Sequence, residues 1–420
     1  MNTNLIKIFI IIIMAIIYTS INKIFNKRYI DKSSKIRIYN NNIYWDNETS
    51  LEIDKVIKEI DELNNIQISY ENKKDFIKRK NPKVSLVITI YNQEDNITSI
   101  YSCILKQEMK DIEIIFVNDA SKDDSEKIIK ELMEKDKRII LLKNEENKRA
   151  FYSRNKGILA SKGEYILVID ADDLLINNIL IKSYETAKKF NLDIVQFYIM
   201  NGYRQTPSLW SELKYKGGIF KTNEEIRNIF YYSTSRNLCD KLIRREIYVK
   251  SVKFMKEEFY NENYRINDDD TLFFGIVHVA QRYAFLEQIG YFYIIRPPGS
   301  YDKNNPNNAN EIFRSVFNIM KYFYLQSDNN TLEKSRMPYD YFTKSMRNLG
   351  YFIPFVTDGF DFISDVFELY LNSPYFDKKQ KDYINDYAIK FLNRQKEIDD
   401  KKLSKTEIEM TNFVNNTIYA

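Results

Sequence analysis

The sequence YILVIDADD, residues 165–173, joins a run of five mostly apolar residues to a turn that carries three aspartates. Two similar runs precede it, VSLVITI at residues 84–90 and IEIIFV at residues 112–117. Further short runs occur at residues 138–142 and 193–198, and helix-like segments separate all of these runs. Strands that alternate with helices predict βαβ units, and therefore an α/β fold with a mostly parallel sheet flanked by helices.

The composition is that of a folded protein without excess charge. The chain has 420 residues, of which 44% are hydrophobic and 15% are aromatic. Its 63 Lys and Arg balance 59 Asp and Glu, which leaves a formal net charge of +4. Nucleic-acid binders concentrate excess Lys and Arg on one face, so this balance predicts no nucleic-acid partner. The 2 cysteines cannot form a disulfide framework and lie in no Cys/His zinc pattern, and the single histidine, His278, in a helix-like segment, argues against Ser-His-Asp catalysis.

The first 23 residues have the character of a transmembrane anchor. The sequence from Leu5 to Ile17 is almost continuously apolar, and only Lys7 interrupts it. With residues 18–21 it approaches the roughly 17–25 residues that a membrane span requires. A cleaved signal peptide is the alternative, but Tyr18 stands where cleavage requires a small residue. The sequence thus predicts an uncleaved signal-anchor in a single-pass membrane protein, which would be endomembrane (ER or Golgi) in a eukaryote.

The sequence leaves open on which face of that membrane the rest of the chain lies. Basic residues cluster after the apolar segment, which favours the cytosolic side by the positive-inside rule. Asn-x-Thr sequons favour the lumen, and they occur at Asn47, Asn96, Asn329 and Asn415. Such sequons also arise by chance in a chain so rich in asparagine.

Changes in pattern divide the chain into regions. These are an anchor over residues 1–23, a stem over residues 24–83, a strand-and-helix domain over residues 84–300 and a helical region over residues 301–420. In the stem, apolar residues from Leu51 to Leu63 recur at the spacing of an amphipathic helix. The third region ends with a helix that begins near Asp270 and with strand candidates at residues 284–287 and 291–295.

Polar turns follow three of the predicted strands. Tyr91 and Glu94 follow the first strand, Asp119 follows the second, and Asp170 and Asp172 follow the fourth. Open α/β sheets bind ligands at the carboxyl ends of their strands, so these turns are the expected site. Asp170 and Asp172 could share one Mg²⁺ or Mn²⁺ ion, which takes one or two carboxylates together with substrate phosphate oxygens. Alternatively, the two aspartates only cap the next helix and complement its dipole.

Further positions admit both a functional and a structural interpretation. Asp119 could accept a hydrogen bond from a nucleobase imide or form an Asx-turn, and Arg154 could contact phosphate or lie in solvent. The acidic run Asp268–Asp270 either complements the dipole of the helix that it opens or contains a general base. Arg296 and Ser300, which follow an aromatic strand, could contact a diphosphate.

Together these motifs resemble glycosyltransferase family 2, whose members have the GT-A fold. The resemblance rests on six segments, VSLVITIYNQEDNI, IEIIFVNDASKDDS, SRNKGILASKGEYILVIDADD, DKLIRREIY, NDDDTLFF and GYFYIIRPPGS, and extends over about half of the chain. It implies an enzyme that transfers a sugar from a nucleotide-sugar donor, UDP-linked, to a hydroxyl of a glycan, lipid or protein acceptor. The implied reaction is a single inverting displacement.

The resemblance also implies roles for residues around the nucleotide. Thr89, Tyr91 and Glu94 would line the nucleotide pocket. Asp119 would recognise the base of a uridine-type donor, and Arg154 would contact its phosphate or base.

For the reacting groups, the resemblance implies a metal, a base and a covering segment. Asp170 and Asp172 match the DxD motif that binds Mn²⁺ or Mg²⁺. The pair Asp269-Asp270 stands where the family carries its acidic pair, and the second of the two, Asp270, is the better candidate for the general base. Arg296 and Ser300 fall in a segment that often closes over the donor.

The chain departs from the family at two places. Arg149 stands where the family often has a glycine, so the geometry of the donor loop over residues 147–152 is expected to differ. The acidic pair is embedded in three aspartates, so the base could be Asp269. The helical region after Ser300 matches no part of the family pattern.

Two other classes of function remain open on the sequence. YILVIDADDL approximates the strand-DxD signature of haloacid dehalogenase-like phosphatases, with Asp170 as nucleophile and Asp172 as acid. Against this, Leu174 stands where that signature has Thr or Val, and three βα units come first. A non-catalytic scaffold tethered to a membrane is the second alternative, against which the intact DxD and acidic pair argue.

Overall fold

A computed structural model of the chain describes residues 36–39, 42–45, 77, 80–176, 178–203, 206–209, 219–222, 225–227, 236–254, 268–294, 309–326 and 331–418. The predicted anchor over residues 1–23, the predicted stem helix, Arg296 and Ser300 lie outside these residues. Within the described ranges, no helix combines the length and the apolar character that crossing a membrane requires. The anchor therefore stays a prediction.

The chain forms two compact units. The first comprises Met1–Asn147, Ser153–Val249 and Ala280–Pro297, and the second comprises Lys148–Tyr152, Lys250–Val279 and Pro298–Ala420.

Ten of the described strands of the first unit form one sheet. Its strands are β3 (Val84–Ile90), β4 (Ile112–Asn118), β5 (Ile139–Lys143), β6 (Tyr165–Asp170), β7 (Leu174–Leu175), β8 (Ile194–Tyr203), β9 (Thr206–Leu209), β10 (Ile219–Phe220), β11 (Lys241–Arg244) and β12 (Tyr283–Ile294). A separate hairpin consists of β1 (Ile36–Tyr39) and β2 (Asn42–Trp45).

The central strands are parallel, as the sequence predicts. The order across the sheet is β10-β12-β8-β11-β6-β3-β4-β5, and β3 pairs in parallel with both β4 and β6. Every residue of β4 is buried. Because both faces of such a parallel strand are covered, its sequence is a nearly continuous apolar run. A mostly parallel α/β sheet is thus confirmed.

One strand prediction needs correction, and one strand was not predicted. The strand candidates at residues 284–287 and 291–295 form a single strand, β12, whose pairing with β8 shifts register between Phe285 and Tyr291. The four-residue strand β11 escapes sequence analysis because it is short and carries charged residues at both ends. It runs antiparallel between β6 and β8.

Helices cover the sheet between its parallel strands. They are α1 (Glu94–Lys106), α2 (Ser125–Lys135), α3 (Arg149–Ala160) and α4 (Ile179–Phe190). The helix α3 approaches the sheet closely at Gly157, where an added Cβ atom would lie 2.4 Å from a methyl carbon of Val87. Only glycine fits there, and this contact fixes the height of α3 above β3.

The described part of the second unit is helical. Its helices are α6 (Asp268–Val279), α7 (Ala309–Gln326), α8 (Thr331–Leu349), a 3₁₀ helix (Gly350–Phe355), α9 (Phe360–Leu371) and α10 (Lys378–Ile418), while α5 (Arg245–Phe254) begins in the first unit. Aromatic rings form its core: the ring of Phe317 lies 5.2 Å from that of Phe367, and the ring of Phe313 lies 5.1 Å from that of Phe391. Edge-to-face pairs of this kind stabilise helix packing beyond the buried area alone.

Candidate functional site

The ends of β3, β4 and β6 meet at one edge of the sheet. Thr89 stands in register with Asp170 on one side and with Val117 on the other. The amide of Asp119 donates a hydrogen bond of 2.8 Å to the carbonyl of Ile90. The structure therefore brings the predicted residues of these three strand ends together at the carboxyl edge.

The loops after β3 and β4 are joined by an acidic group that we call the loop cluster, Glu94, Asp123 and Asp124. The amide of Glu94 donates to the Asp123 carboxylate at 3.0 Å, and the amide of Asp124 donates to the Glu94 carboxylate at 2.8 Å. Burial alone would raise the pKa of Asp123, but hydrogen bonds from Ser125 and from the Glu94 amide outweigh it and hold the pKa below its usual value. The Glu94 carboxylate, predicted to line the nucleotide pocket, thus accepts a backbone hydrogen bond from the neighbouring loop.

Tyr91 lies beside a second set of bonds between the same loops. The amide of Asn92 donates to the Ser121 hydroxyl at 3.0 Å, and the amide of Lys122 donates to the Asn92 side chain at 2.9 Å. Asn92 and Ala120 both have positive φ angles, 52° and 60°. The side chain of Tyr91 is 44% exposed, which leaves its ring accessible for stacking.

Asp119 is buried and held by a residue that sequence analysis missed. The Asn144 amide group donates to Asp119 Oδ1 at 2.7 Å and to the Ser153 hydroxyl at 2.8 Å. The acceptor for the Ser121 amide in this turn is the side chain of Asn118, at 2.9 Å. Asn144 directly follows β5, and its position at a strand end is the signal that could have identified it.

The residues after β6, Asp170 to Asp173, form what we call the β6 turn. Arg154 Nη2 lies 2.8 Å from Asp170 Oδ1. The Arg154 side chain is 8% exposed and the Asp170 side chain 33%. Arg154 is therefore a buried partner of the β6 turn, and the alternative that it lies in solvent is wrong.

Asp173 anchors this turn, although its sequence context does not distinguish it from Asp172. It is fully buried, and its carboxylate accepts hydrogen bonds from the Tyr291 hydroxyl at 2.8 Å and from the Ile294 amide at 2.9 Å. Burial, and then the charges of Asp172 and Asp170, raise the pKa of Asp173 well above its usual value. Burial thus disfavours the charged form of the Asp173 carboxyl group.

Tyr291 contacts the β6 turn at a second point. The amide of Asp170 donates to the Tyr291 hydroxyl oxygen at 3.2 Å. Burial, and then the charge of Asp173, raise the pKa of Tyr291 well above its usual value, so the phenol stays protonated and donates to Asp173. Leu174 and Leu175 then pair with Phe292 and Tyr291 as the short strand β7.

The β6 turn fits a divalent cation whose coordination the substrate completes. Among the described residues, no group of three or more His, Cys, Asp and Glu side chains is arranged to hold a metal ion alone. Mg²⁺ and Mn²⁺ sites that act on phosphates need only one or two carboxylates, because the phosphate oxygens supply further ligands. Asp170 and Asp172 offer such hard oxygen donors, and both side chains are partly exposed at the edge of the sheet.

The acidic run Asp268–Asp270 belongs to the second unit. All three aspartates lie in the first turn of α6 and are half-buried. Carboxylates at this position complement the helix dipole. The role of Asp270 or Asp269 as general base stays a prediction.

Arg149 also belongs to the second unit and has the left-handed φ of +65°. This conformation explains why a glycine suits the position, since only glycine adopts it without steric cost. The Arg149 side chain forms an ion pair of 2.9 Å with Glu311 on α7.

A mostly parallel sheet whose carboxyl edge gathers Tyr91, Asp119, Arg154 and an acidic turn defines an α/β protein of the GT-A type. Residues 85–251 match the family described as Glycosyl transferase family 2. The matched region is thus similar to glycosyltransferase family 2 enzymes, and it makes up less than half of the chain. The phosphatase and scaffold alternatives are therefore set aside.

Characterised and uncharacterised bacterial proteins share this similarity. The chain is 27% identical over 230 residues to Glycosyltransferase GlyG of Streptococcus pneumoniae, covering 50% of this chain and 70% of GlyG. It is 36% identical over 131 residues to the UDP-Glc:alpha-D-GlcNAc-diphosphoundecaprenol beta-1,3-glucosyltransferase WfaP of Escherichia coli, covering 30% of this chain and 51% of WfaP. The alignment thus spans about half the length of WfaP.

A solved structure shares the fold. The chain is similar to S. aureus TarS 1–349 in complex with UDP-GlcNAc, with a TM-score of 0.56 and 17% identity. The similarity covers 77% of this chain and 92% of that chain. At this level of identity it supports the fold alone.

Proposed function

We propose that this enzyme transfers a sugar from a UDP-linked donor to a hydroxyl of a glycan, lipid or protein acceptor, with inversion at the anomeric carbon. A divalent cation, Mn²⁺ or Mg²⁺, would be held by Asp170 and Asp172. The observation that carries the proposal is the meeting of Asp119, Arg154 and the β6 turn at one edge of the sheet. The nucleobase of the donor, its diphosphate and the cation would lie along this edge in that order.

Two residues suit a uracil base. Asp119 Oδ1 is fixed by Asn144, and the carboxylate keeps acceptor capacity for the N3–H group of a uracil. The exposed ring of Tyr91 offers a face on which the base can stack. The names of WfaP, a UDP-Glc transferase, and of the TarS complex with UDP-GlcNAc agree with this choice of donor.

Arg154 supplies positive charge next to the acidic turn. Its guanidinium group is planar and donates in a fixed geometry that suits carboxylate and phosphate oxygens. Held by Asp170 at 2.8 Å, it is oriented before a diphosphate binds. A bound cation would act as a Lewis acid that stabilises the charge on the departing diphosphate.

The general base would come from the acidic run of α6. Asp270, or Asp269 beside it, would remove the proton from the acceptor hydroxyl. The hydroxyl oxygen then forms a bond to the anomeric carbon while the bond from that carbon to the diphosphate oxygen breaks. The leaving group is the nucleoside diphosphate, and inversion follows from a single displacement.

A panel of nucleotide sugars tests the proposal. The purified full-length chain, in detergent, is expected to release nucleoside diphosphate from UDP-linked sugars in the presence of Mn²⁺, and much more slowly from CDP-linked sugars. The physical reason is that N3 of cytosine is an acceptor, so it repels the Asp119 carboxylate at the position where the N3–H group of uracil donates to it. Turnover of CDP-sugars at the rate of UDP-sugars would contradict the assigned donor, and equal rates after chelation of all metal would contradict the assigned cation.

The matched variant for this test is Asp119→Asn. Its side-chain amide can present a donor to cytosine, so the preference for UDP- over CDP-sugars is expected to fall about tenfold or more, the size typical of a lost buried hydrogen-bond partner. An unchanged preference would remove Asp119 from base recognition.

A further inference from the structure

We propose that Tyr291 is a positioning residue that holds the β6 turn in its metal-binding form. The inference rests on the proposed function, because it assumes that Asp170 and Asp172 bind a divalent cation with the donor diphosphate. Tyr291 lies 121 residues after Asp170 in the chain and was not among the residues that the sequence singled out.

A single hydroxyl group bridges the two ends of the turn. The Tyr291 oxygen accepts the hydrogen bond from the Asp170 amide at 3.2 Å, and its proton goes to Asp173 Oδ2 at 2.8 Å. The Tyr291 side chain is 0% exposed, so water does not replace either bond when the hydroxyl is removed. The hydroxyl therefore fixes the distance between the first and the last residue of the turn.

The same strand holds the turn at further points. Asp173 Oδ1 accepts a hydrogen bond from the Ile294 amide at 2.9 Å. Directly after the turn, Leu175 pairs with Tyr291 and Leu174 pairs with Phe292 in an antiparallel ladder. The end of β12 thus fixes the backbone of the β6 turn through these hydrogen bonds.

The turn needs these contacts with β12 because its carboxyl groups are close enough to repel one another when they are charged. Without a bound cation, the carboxyl groups of Asp170, Asp172 and Asp173 are crowded within four residues. Relaxation of the backbone would separate them and spread the two metal ligands. Groups that hold metal ligands in place typically contribute 10–100-fold to metal affinity.

The simpler alternative is that Tyr291 only fills the core and that its hydroxyl merely needs a partner. The chain offers a matched control for this alternative on the same strand. Tyr283 is also 0% exposed, and its hydroxyl also donates a buried hydrogen bond, to Gln196. It stands at the opposite end of β12, in register with Ile194. Tyr283→Phe therefore removes a buried hydroxyl of the same kind while leaving the β6 turn untouched.

The experiment compares wild-type protein, Tyr291→Phe and Tyr283→Phe as full-length chains. Binding of Mn²⁺ in the presence of saturating UDP is measured by the loss of the free-ion signal in electron paramagnetic resonance. Thermal unfolding of each variant without ligand gives its stability. We expect Tyr291→Phe to weaken Mn²⁺ binding about tenfold, while Tyr283→Phe binds Mn²⁺ like wild type at a similar loss of thermal stability.

The transfer assay provides a second readout. The Mn²⁺ concentration for half-maximal rate should rise in Tyr291→Phe by the same factor as the dissociation constant, and saturating Mn²⁺ should recover most of the rate. Equal Mn²⁺ affinities in the two variants would overturn the proposal and leave Tyr291 as a core residue.

Two further outcomes also decide the matter. If the wild-type protein does not bind Mn²⁺ in the presence of UDP, the metal part of the proposed function is wrong and so is this inference. The measurement on the wild-type protein alone shows this. If Tyr291→Phe does not fold, Asp173→Asn replaces it, because this change disturbs the same bridge from the other side. Wild-type Mn²⁺ affinity in that variant would overturn the inference.

Discussion

The loop cluster and the β6 turn are both acidic groups at the carboxyl edge of one sheet, and they differ in what their carboxylates contact. In the loop cluster, Glu94 and Asp123 accept hydrogen bonds from backbone amides, and the pKa of Asp123 lies below its usual value. In the β6 turn, burial and neighbouring charge raise the pKa of Asp173 well above its usual value. The carboxylates of the first group join two loops, whereas Asp173 in the second is buried against Tyr291 and anchors the turn that carries Asp170 and Asp172. The two pKa shifts differ in direction because hydrogen bonds outweigh burial at Asp123, whereas burial outweighs them at Asp173.

The largest expected effect comes from removing a carboxylate of the β6 turn. Asp172→Asn should lower the transfer rate about a thousandfold, because the metal that it is proposed to bind would contribute several kcal/mol to stabilising the leaving group. Thermal unfolding should stay near wild type. Asp124→Asn in the loop cluster is the matched control, and it should keep most of the activity. Comparable losses in the two variants would erase the distinction between the groups.

A substitution of Arg154, which forms an ion pair with Asp170 of the β6 turn, should give the next largest effect. Arg154→Lys replaces a planar fork by a point charge, so the KM for the sugar donor should rise about tenfold while the fold is retained. Arg244→Lys serves as the control, because Arg244 also forms an ion pair, at 3.0 Å from Asp193. Steady-state kinetics with varied donor checks this. An equal rise in KM for Arg244→Lys would mean that Arg154 acts only through general stability.

A change within the loop cluster should affect stability and spare catalysis. Asp123→Ala removes the acceptor for the amides of Glu94 and Ser125 and should cost about 1 kcal/mol of unfolding free energy, measured by urea denaturation at neutral pH. Because the folded pKa of Asp123 lies below the usual 3.8, its contribution is present above that pH and is lost as the pH falls through the folded value. The difference between variant and wild type should therefore shrink in acid. A difference that grows in acid would contradict the assigned direction of the shift.

The smallest effect is expected from a change in backbone conformation at Ala120, in the turn that follows β4. Ala120 has a φ of +60°, so Ala120→Gly should relieve local strain and raise the unfolding free energy by about 0.5 kcal/mol after the entropy of the unfolded chain is counted. The same exchange inside α4, Ala187→Gly, should lower stability by about 1 kcal/mol. A rise in stability for Ala120→Gly together with a fall for Ala187→Gly in thermal unfolding would confirm that the backbone at Ala120 is strained. A loss of stability in both variants would contradict it.

Much of the sheet could be predicted from the sequence, because buried parallel strands are continuous apolar runs and amphipathic helices separate them. The bounds of β3 agree to the residue with the apolar run VSLVITI. The strand β12 was predicted as two pieces, since polar residues and Gly290 interrupt its apolar pattern. An irregular register allows one strand to pass through that interruption.

The candidate site could be predicted only where it follows the strand ends. Asp119 and Asp170 directly follow or end strands of the sheet, so topology alone brings them to one edge. The buried role of Asp173 could not be predicted, because it depends on Tyr291, which lies 118 residues away in the sequence. Neighbouring aspartates in one turn have the same local context, and only tertiary structure separates a buried anchor from an accessible ligand.

The position of β12 late in the chain has a consequence for synthesis. A nascent polypeptide that has emerged through β6 already carries the parallel strands and all of the turn's aspartates, but Tyr291 has yet to be translated. A fragment that stops before Tyr283 would present those aspartates without the strand along which they are ordered. If Tyr291 holds the turn as proposed, the metal-binding form of the turn is completed only after the whole region that matches the family model has been synthesised.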